Sequence, residues 1–238
     1  MMKRIGINQP GKIGDIIITL PIAQYFIDKG YEVVWPVLDC IYSHFKYFDD
    51  IKFIPVKCPH VNYTHMWYSI TTAELQKHKC DKIFELSLRI PGYDKSTHKW
   101  NETDLTFDEW RYVECEVPFD QKWKLKVPRQ DSREQELHFK IVDNDRFIVV
   151  HTDGSDCSKP IEFDLPSDVQ RVNIKPYTDC IFDWLSIIEN AEKIVMLDSC
   201  YFNLIEQLNI KGDKYFIPRS DWAATPIMRN DWKVICSG

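Results

Sequence analysis

At 238 residues the chain has room for one large domain or for two of roughly 110 residues, and either could bury its own core. The formal charge of -6 speaks against a general nucleic-acid coating surface, which works by neutralising phosphates. No apolar run approaches the ~20 residues of a membrane span, and the start Met-Met-Lys-Arg-Ile-Gly leads into a short strand rather than a signal-peptide core, so the expected location is cytoplasmic.

The first half alternates strand and helix. Arg4 to Asn8 reads as a strand. Ile16, Ile17, Leu20, Ile22, Ala23, Phe26 and Ile27 recur at helical spacing and predict a helix from Asp15 to Lys29, loosened or kinked by Pro21 and closed by Gly30. Tyr31 to Val37 is a second strand, Ile41 to Phe48 a helical stretch and Lys52 to Pro55 a third strand, a parallel α/β pattern. Met66 to Lys79 reads as helix and Lys82 to Leu86 as strand. Ile90 to Thr103 is a polar loop with Pro91, Gly92 and His98, and Asp104 to Val113 an aromatic-rich helix.

A composition shift follows. Val117 to Arg129 holds two prolines, and Gln130 to Asp145 is strongly charged, which predicts domains at 1–125 and 140–238 joined by a linker at about 126–139. Beyond it the alternation restarts. Arg146 to His151 is a buried strand by its β-branched run, and it opens into the donor-rich turn Thr152-Asp153-Gly154-Ser155-Asp156. Val172 to Ile174, Lys193 to Leu197 and Lys214 to Ile217 complete the strands, the last of these being the final one. Ile181 to Ala191 and Ser199 to Leu208 are the helices between.

Two turns carry the chemistry. At Pro10-Gly11-Lys12-Ile13-Gly14-Asp15 a strand passes through glycines into a helix, leaving backbone N–H groups unpaired with the positive end of the helix dipole behind them. That is a place for an anion or the polar part of a substrate. The glycines read G-x-x-G, neither the dinucleotide fingerprint nor a P-loop, which leaves an NAD-dependent oxidoreductase with little support. The turn at Asp198-Ser199 mirrors the first. Ligands of open parallel sheets sit at strand carboxyl ends beside helix N-termini, so two such halves face to face would make a cleft.

The eight cysteines are scattered singly and are expected as reduced thiols. Cys58, His60, His65, His78 and Cys80 match no common zinc spacing, and no metal is expected.

Gly14-Asp15-Ile16-Ile17-Ile18-Thr19-Leu20-Pro21, with Gly30-Tyr31-Glu32-Val33-Val34-Trp35 after the helix, resembles the N-terminal signature of the heptosyltransferase-like glycosyltransferases, family 9 of the glycosyltransferases. Phe147 to His151 with Gly154 and Ser155 looks like the opening strand and loop of that family's second domain. Phe182-Asp183-Trp184-Leu185 through Ile194 to Asp198-Ser199 looks like its donor-binding region. The match covers about two thirds of the chain and leaves the middle unmatched.

The resemblance implies the GT-B fold, two Rossmann-like domains with parallel sheets facing across a cleft. It implies inverting, metal-independent transfer from a nucleotide-sugar donor to an acceptor hydroxyl, with no cofactor. Asp15 takes the place of the general base. Gly14, His151, Gly154, Ser155, Lys159, Asp183, Asp198, Ser199 and Cys200 are the donor and phosphate candidates, facing the charge that builds on the leaving diphosphate. The acceptor, whether glycan, lipid-linked glycan, protein or modified base, is open.

There are departures from the family pattern. Asn203 stands near the place where the family usually has a histidine, and Pro160 and Pro166 break the helix expected after Gly154. A binding protein that holds a nucleotide or nucleotide sugar without turnover is therefore the alternative. Each residue also has a plainer reading: Asp15, Asp198 and Ser199 as helix caps, His151 as a core histidine, Lys159 as a solvated charge, and Trp184 as packing rather than a base-stacking surface.

Overall fold

The computed structural model describes residues 3–57, 64–86, 93–94, 99–100, 105–154, 157–162, 164–219, 227–229 and 231–235. Ser155, Cys58, His60, His98 and most of the 90–103 loop lie outside them. The chain divides into two compact units, Met1–Lys126 and Val127–Gly238.

In the first unit, β1 (Arg4–Asn8), β2 (Glu32–Leu38), β3 (Ile51–Val56) and β4 (Lys82–Glu85) form one parallel sheet in the order β3-β2-β1-β4. The chain runs outward from β1 through β2 to β3, then crosses to β4 on the other side of β1. That reversal is a topological switch point, the kind of place where α/β proteins bind ligands in a crevice outside the carboxyl ends of the strands.

Helix α1 (Ile13–Asp28) starts at this switch point. It is buried without interruption from Ile16 to Gln24, so its apolar character extends all round rather than along one stripe. The sheet accounts for one side. The other is covered by α4 (Phe107–Glu114) and by a 3-10 turn at Phe119–Lys124, where the sequence suggested only a proline-bounded stretch. The helix continues through Pro21, and Gly30 follows it at φ 82, the left-handed value its place after the C-cap calls for.

Between these elements, α2 is a single turn (Asp39–Tyr42) instead of a helix reaching Phe48. Phe45 and Phe48 pack on Phe53 of β3. Helix α3 spans Thr64–Lys77, and β5 (Tyr93–Asp94) and β6 (Lys99–Trp100) make a small antiparallel pair.

The expected linker holds α5 (Asp131–Ile141), which belongs to the second unit. Its charge misled the sequence reading. Arg129 pairs with Glu134 and Glu189, and Arg133 with Asp179 and Asp183, so the charges are fastenings within the unit. The second sheet is parallel throughout, in the order β11-β10-β9-β7-β8, with β7 (Phe147–His151), β8 (Gln170–Asn173), β9 (Lys193–Leu197), β10 (Asp213–Ile217) and β11 (Trp232–Val234).

Ile148, Val150, Val195, Leu197 and Ile217 form one buried apolar cluster of this unit, with Ile161 and Leu165 packed against it. Those two come from the β7–β8 connection, which carries no helix among its described residues, as Pro160 and Pro166 predict. Helix α6 (Leu185–Asn190) follows a 3-10 turn at Ile181–Trp184, and α7 (Cys200–Leu208) follows β9.

Strand β11 overturns the expectation that Lys214 to Ile217 ends the sheet. Trp232 docks on Phe202 and Phe216 within this unit and donates its indole N–H to buried Glu206 (2.7 Å). Among the described residues no helix is long and apolar enough to cross a membrane.

Candidate functional site

The first candidate lies at the carboxyl end of β1. The turn after Asn8 is pinned from several directions. The Gln9 amide donates to the Gly11 carbonyl (3.0 Å), the Trp35 indole to the Gln9 carbonyl (2.8 Å), and the Tyr68 hydroxyl reaches Gln9 Oε1 (2.7 Å). Helix α1 therefore starts at a fixed place, two residues earlier than the sequence suggested. Lys12 is the N-cap, Gly14 sits in the first turn, and Asp15 is the third helical residue.

Asp15 is thus not the cap. Its Oδ2 accepts the Lys12 backbone N–H (3.1 Å), the reciprocal half of a capping box, and its Oδ1 accepts from the Arg111 guanidinium (2.9 Å). Each carboxylate oxygen keeps a second lone pair, and the side chain remains 15% exposed. The arrangement provides a fixed, partly open carboxylate at the first sheet's switch point.

The second candidate lies at the carboxyl edge of the second sheet. Here β7 has β8 on one side and β9 on the other, which makes its end the switch point. His151 ends β7, Ser199 precedes α7 and Arg219 follows β10. His151 Nδ1 is 3.1 Å from the Ser199 hydroxyl, and its ring lies 4.9 Å from that of Tyr201. Ser199 occupies the N-cap position, but its hydroxyl makes no capping bond and turns to the histidine.

Arg219 donates Nε–H to the Asp198 carbonyl (2.6 Å), and Lys159 donates to the Pro218 carbonyl (2.7 Å). Gly154 sits so close that a Cβ there would meet the Leu197 side chain at 3.1 Å and the Cys157 carbonyl at 3.3 Å. A side chain there would press on both, so glycine suits the close approach of the loop to the strand end. His151, Gly154, Lys159, Asp198, Ser199 and Cys200 are thereby brought together.

Asp183 is engaged elsewhere. Its buried carboxylate accepts from Arg133 (2.7 Å) and from the Thr178 hydroxyl, which fastens the 3-10 turn to α5. Trp184 is fully buried, consistent with packing. Asn203 is also buried, one turn into α7. Arg111, Arg219 and Tyr201 were missed from sequence. For Arg219 the available signal was its place two residues beyond a strand's carboxyl end.

Burial, with Arg219 adding to it, lowers the His151 pKa from 6.5 to about 4 against a smaller opposing pull from Asp153, so the ring is neutral at pH 7. Burial pushes the Cys200 thiol up to about 11, which keeps it protonated and unreactive. The histidine has a consequence for stability. The unfolded chain takes up this proton first, so stability present at neutral pH is lost as pH falls from 6.5 towards about 4. The expected loss from this group is on the order of 3 kcal/mol. Urea unfolding at pH 7 and pH 4 should show the wild type losing that much more than His151→Gln, and parallel losses would contradict a neutral buried ring.

No family model matches the sequence, and no curated protein matches it. In structure the chain is similar to the glycosyl transferase family 9 protein from Veillonella parvula, with a TM-score of 0.62 at 11% identity, covering 98% of this chain and 85% of that one. It is similar to E. coli ADP-heptose lps heptosyltransferase II, with a TM-score of 0.58 at 11% identity and coverage of 98% and 90%. It is also similar to E. coli heptosyltransferase WaaC with ADP-2-deoxy-2-fluoro heptose, with a TM-score of 0.52 at 11% identity and coverage of 100% and 94%. Two parallel α/β units, aligned over nearly the whole chain with these structures, give the protein a GT-B-like fold.

Proposed function

We propose that the chain is a cytoplasmic glycosyltransferase that moves a sugar from a nucleotide-sugar donor to an acceptor hydroxyl, with inversion and without a metal. The observation that carries this reading is Asp15: a carboxylate at the switch point of the first sheet, fixed through both oxygens yet still partly open, in a chain whose fold neighbours are glycosyltransferases. One of those neighbours is described with an ADP-sugar analogue, which favours a nucleotide-sugar donor here.

In the proposed step the acceptor oxygen forms a bond to the anomeric carbon as the bond from that carbon to the diphosphate oxygen breaks. The acceptor proton passes to Asp15, and the nucleotide diphosphate leaves with the electron pair. A single displacement of this kind inverts the centre. Negative charge builds on the leaving group, and the second unit offers it the N-terminus of α7, the Ser199 hydroxyl, Arg219 and Lys159. Gly154, Asp198 and Cys200 lie beside these groups in the second unit, and Gly14 and Ser155, by their places in the sequence, complete the proposed donor set.

The alternative is a protein of the same fold that holds a nucleotide or nucleotide sugar without turnover. Asn203, an amide that cannot exchange a proton near pH 7, is the observation that favours it. Product detection by mass spectrometry across a panel of nucleotide sugars and acceptors separates the two. Release of nucleotide diphosphate with a glycosylated product is expected. Tight donor binding with no product from any pair selects the alternative.

A further inference from the structure

We infer that Arg111 is the positioning residue that aims the Asp15 carboxylate at the acceptor hydroxyl, an inference that rests on the reading of Asp15 as the base. The guanidinium grips one residue at two places. One terminal nitrogen donates to the Asp15 backbone carbonyl (2.8 Å) and the other to its Oδ1 (2.9 Å). Holding both ends of a side chain fixes its rotation about the bonds between them. The first nitrogen also reaches the Thr19 hydroxyl (3.0 Å), which itself donates to the same Asp15 carbonyl (2.8 Å).

Arg111 is 1% exposed, and its guanidinium lies 4.2 Å from the centre of the Phe107 ring. Its helix is anchored independently: Thr106 and Glu109 close a capping box at the start of α4, and the Tyr112 hydroxyl donates to the Ile18 carbonyl (2.9 Å). α4 is therefore a bracket whose side chains reach Asp15, Ile18 and Thr19 in the first two turns of α1. A planar fork can span a carbonyl and a carboxylate at once, whereas an ammonium acts as a point charge.

The test uses the whole protein and whichever donor and acceptor the panel identifies. Arg111→Met should lower kcat by about 100-fold, the scale of a misplaced catalytic group. The KM for the donor should stay within about twofold, because this grip touches only Asp15 and its helix. Arg111→Lys should fall in between, with about a 10-fold loss, because charge without the fork restores part of the grip.

A residue acting through Asp15 adds nothing once Asp15 is gone, so Arg111→Met in an Asp15→Asn background should leave the residual rate unchanged, whereas a general structural defect would lower it further. If Arg111→Met fails to fold, Arg111→Lys decides, and wild-type kcat in that variant overturns the inference. A wild type inactive with every donor removes the transferase reading and this role together. An active wild type matched by Arg111→Met removes this role alone.

Discussion

Asp15→Asn is expected to lower turnover by about 10²- to 10⁴-fold, the usual contribution of a positioned base and equivalent to roughly 3–5 kcal/mol on the barrier. The substitution changes little in volume, and its structural cost follows from the hydrogen bonds. Each Asp15 oxygen accepts from a donor, the Lys12 N–H on one side and Arg111 on the other. An amide offers only one acceptor oxygen, so its NH₂ must face one of those two donors. That mismatch costs about 1–3 kcal/mol of stability. Thermal melting should therefore show a modest drop while donor binding, assigned to the second unit, is retained. Rate and stability then report separate things. Full turnover by a folded variant would remove Asp15 as the base.

How far the sequence could be read depended on which interactions are local. β1 and β9 were read to the residue because short apolar runs bounded by Gly, Pro or Asp have few competing assignments. The start of α1 was misplaced by two residues because acidic side chains suit both the cap and the first turn, and composition does not separate the two positions. α5 was taken for a linker because its stability comes from ion pairs across the unit instead of an apolar stripe, with only Glu134 and Leu137 buried. β11 is three residues long and lies at the sheet edge, too short for a period to show.

The candidate sites divide in the same way. The places of His151, Gly154 and Ser199 were legible because the first ends a strand, the second lies in the loop just beyond it and the third precedes a helix, and those places can be read from the alternation itself. Arg111 was not, since it meets Asp15 from 96 positions along the chain through a helix whose orientation only the folded packing sets. Asp183 shows the converse. Its residue type and place fitted a donor contact, but Arg133 and Thr178 occupy its carboxylate.

The largest expected loss of stability follows from Lys122→Met. Lys122 and Asp108 form an ion pair with both side chains buried, 1% and 0% exposed. The ammonium also lies 4.5 Å from the Trp123 ring centre, and the Thr106 hydroxyl donates to Asp108 (2.6 Å). Methionine fills the same space without the charge, so the carboxylate stays in an apolar site without this cation. Breaking a buried pair from one side costs about 3–5 kcal/mol, whereas replacing both partners with apolar residues is often close to neutral. The double variant Lys122→Met, Asp108→Leu should therefore recover most of what the single variant loses. Urea unfolding followed by tryptophan fluorescence measures both, and a single-variant loss below about 1 kcal/mol would mean that water reaches the pair. Asp108 sits on α4, three residues before Arg111 and two after the Thr106 cap. Loosening this anchor should also slow turnover while donor binding holds, linking the stability of the first unit to the aim of Asp15.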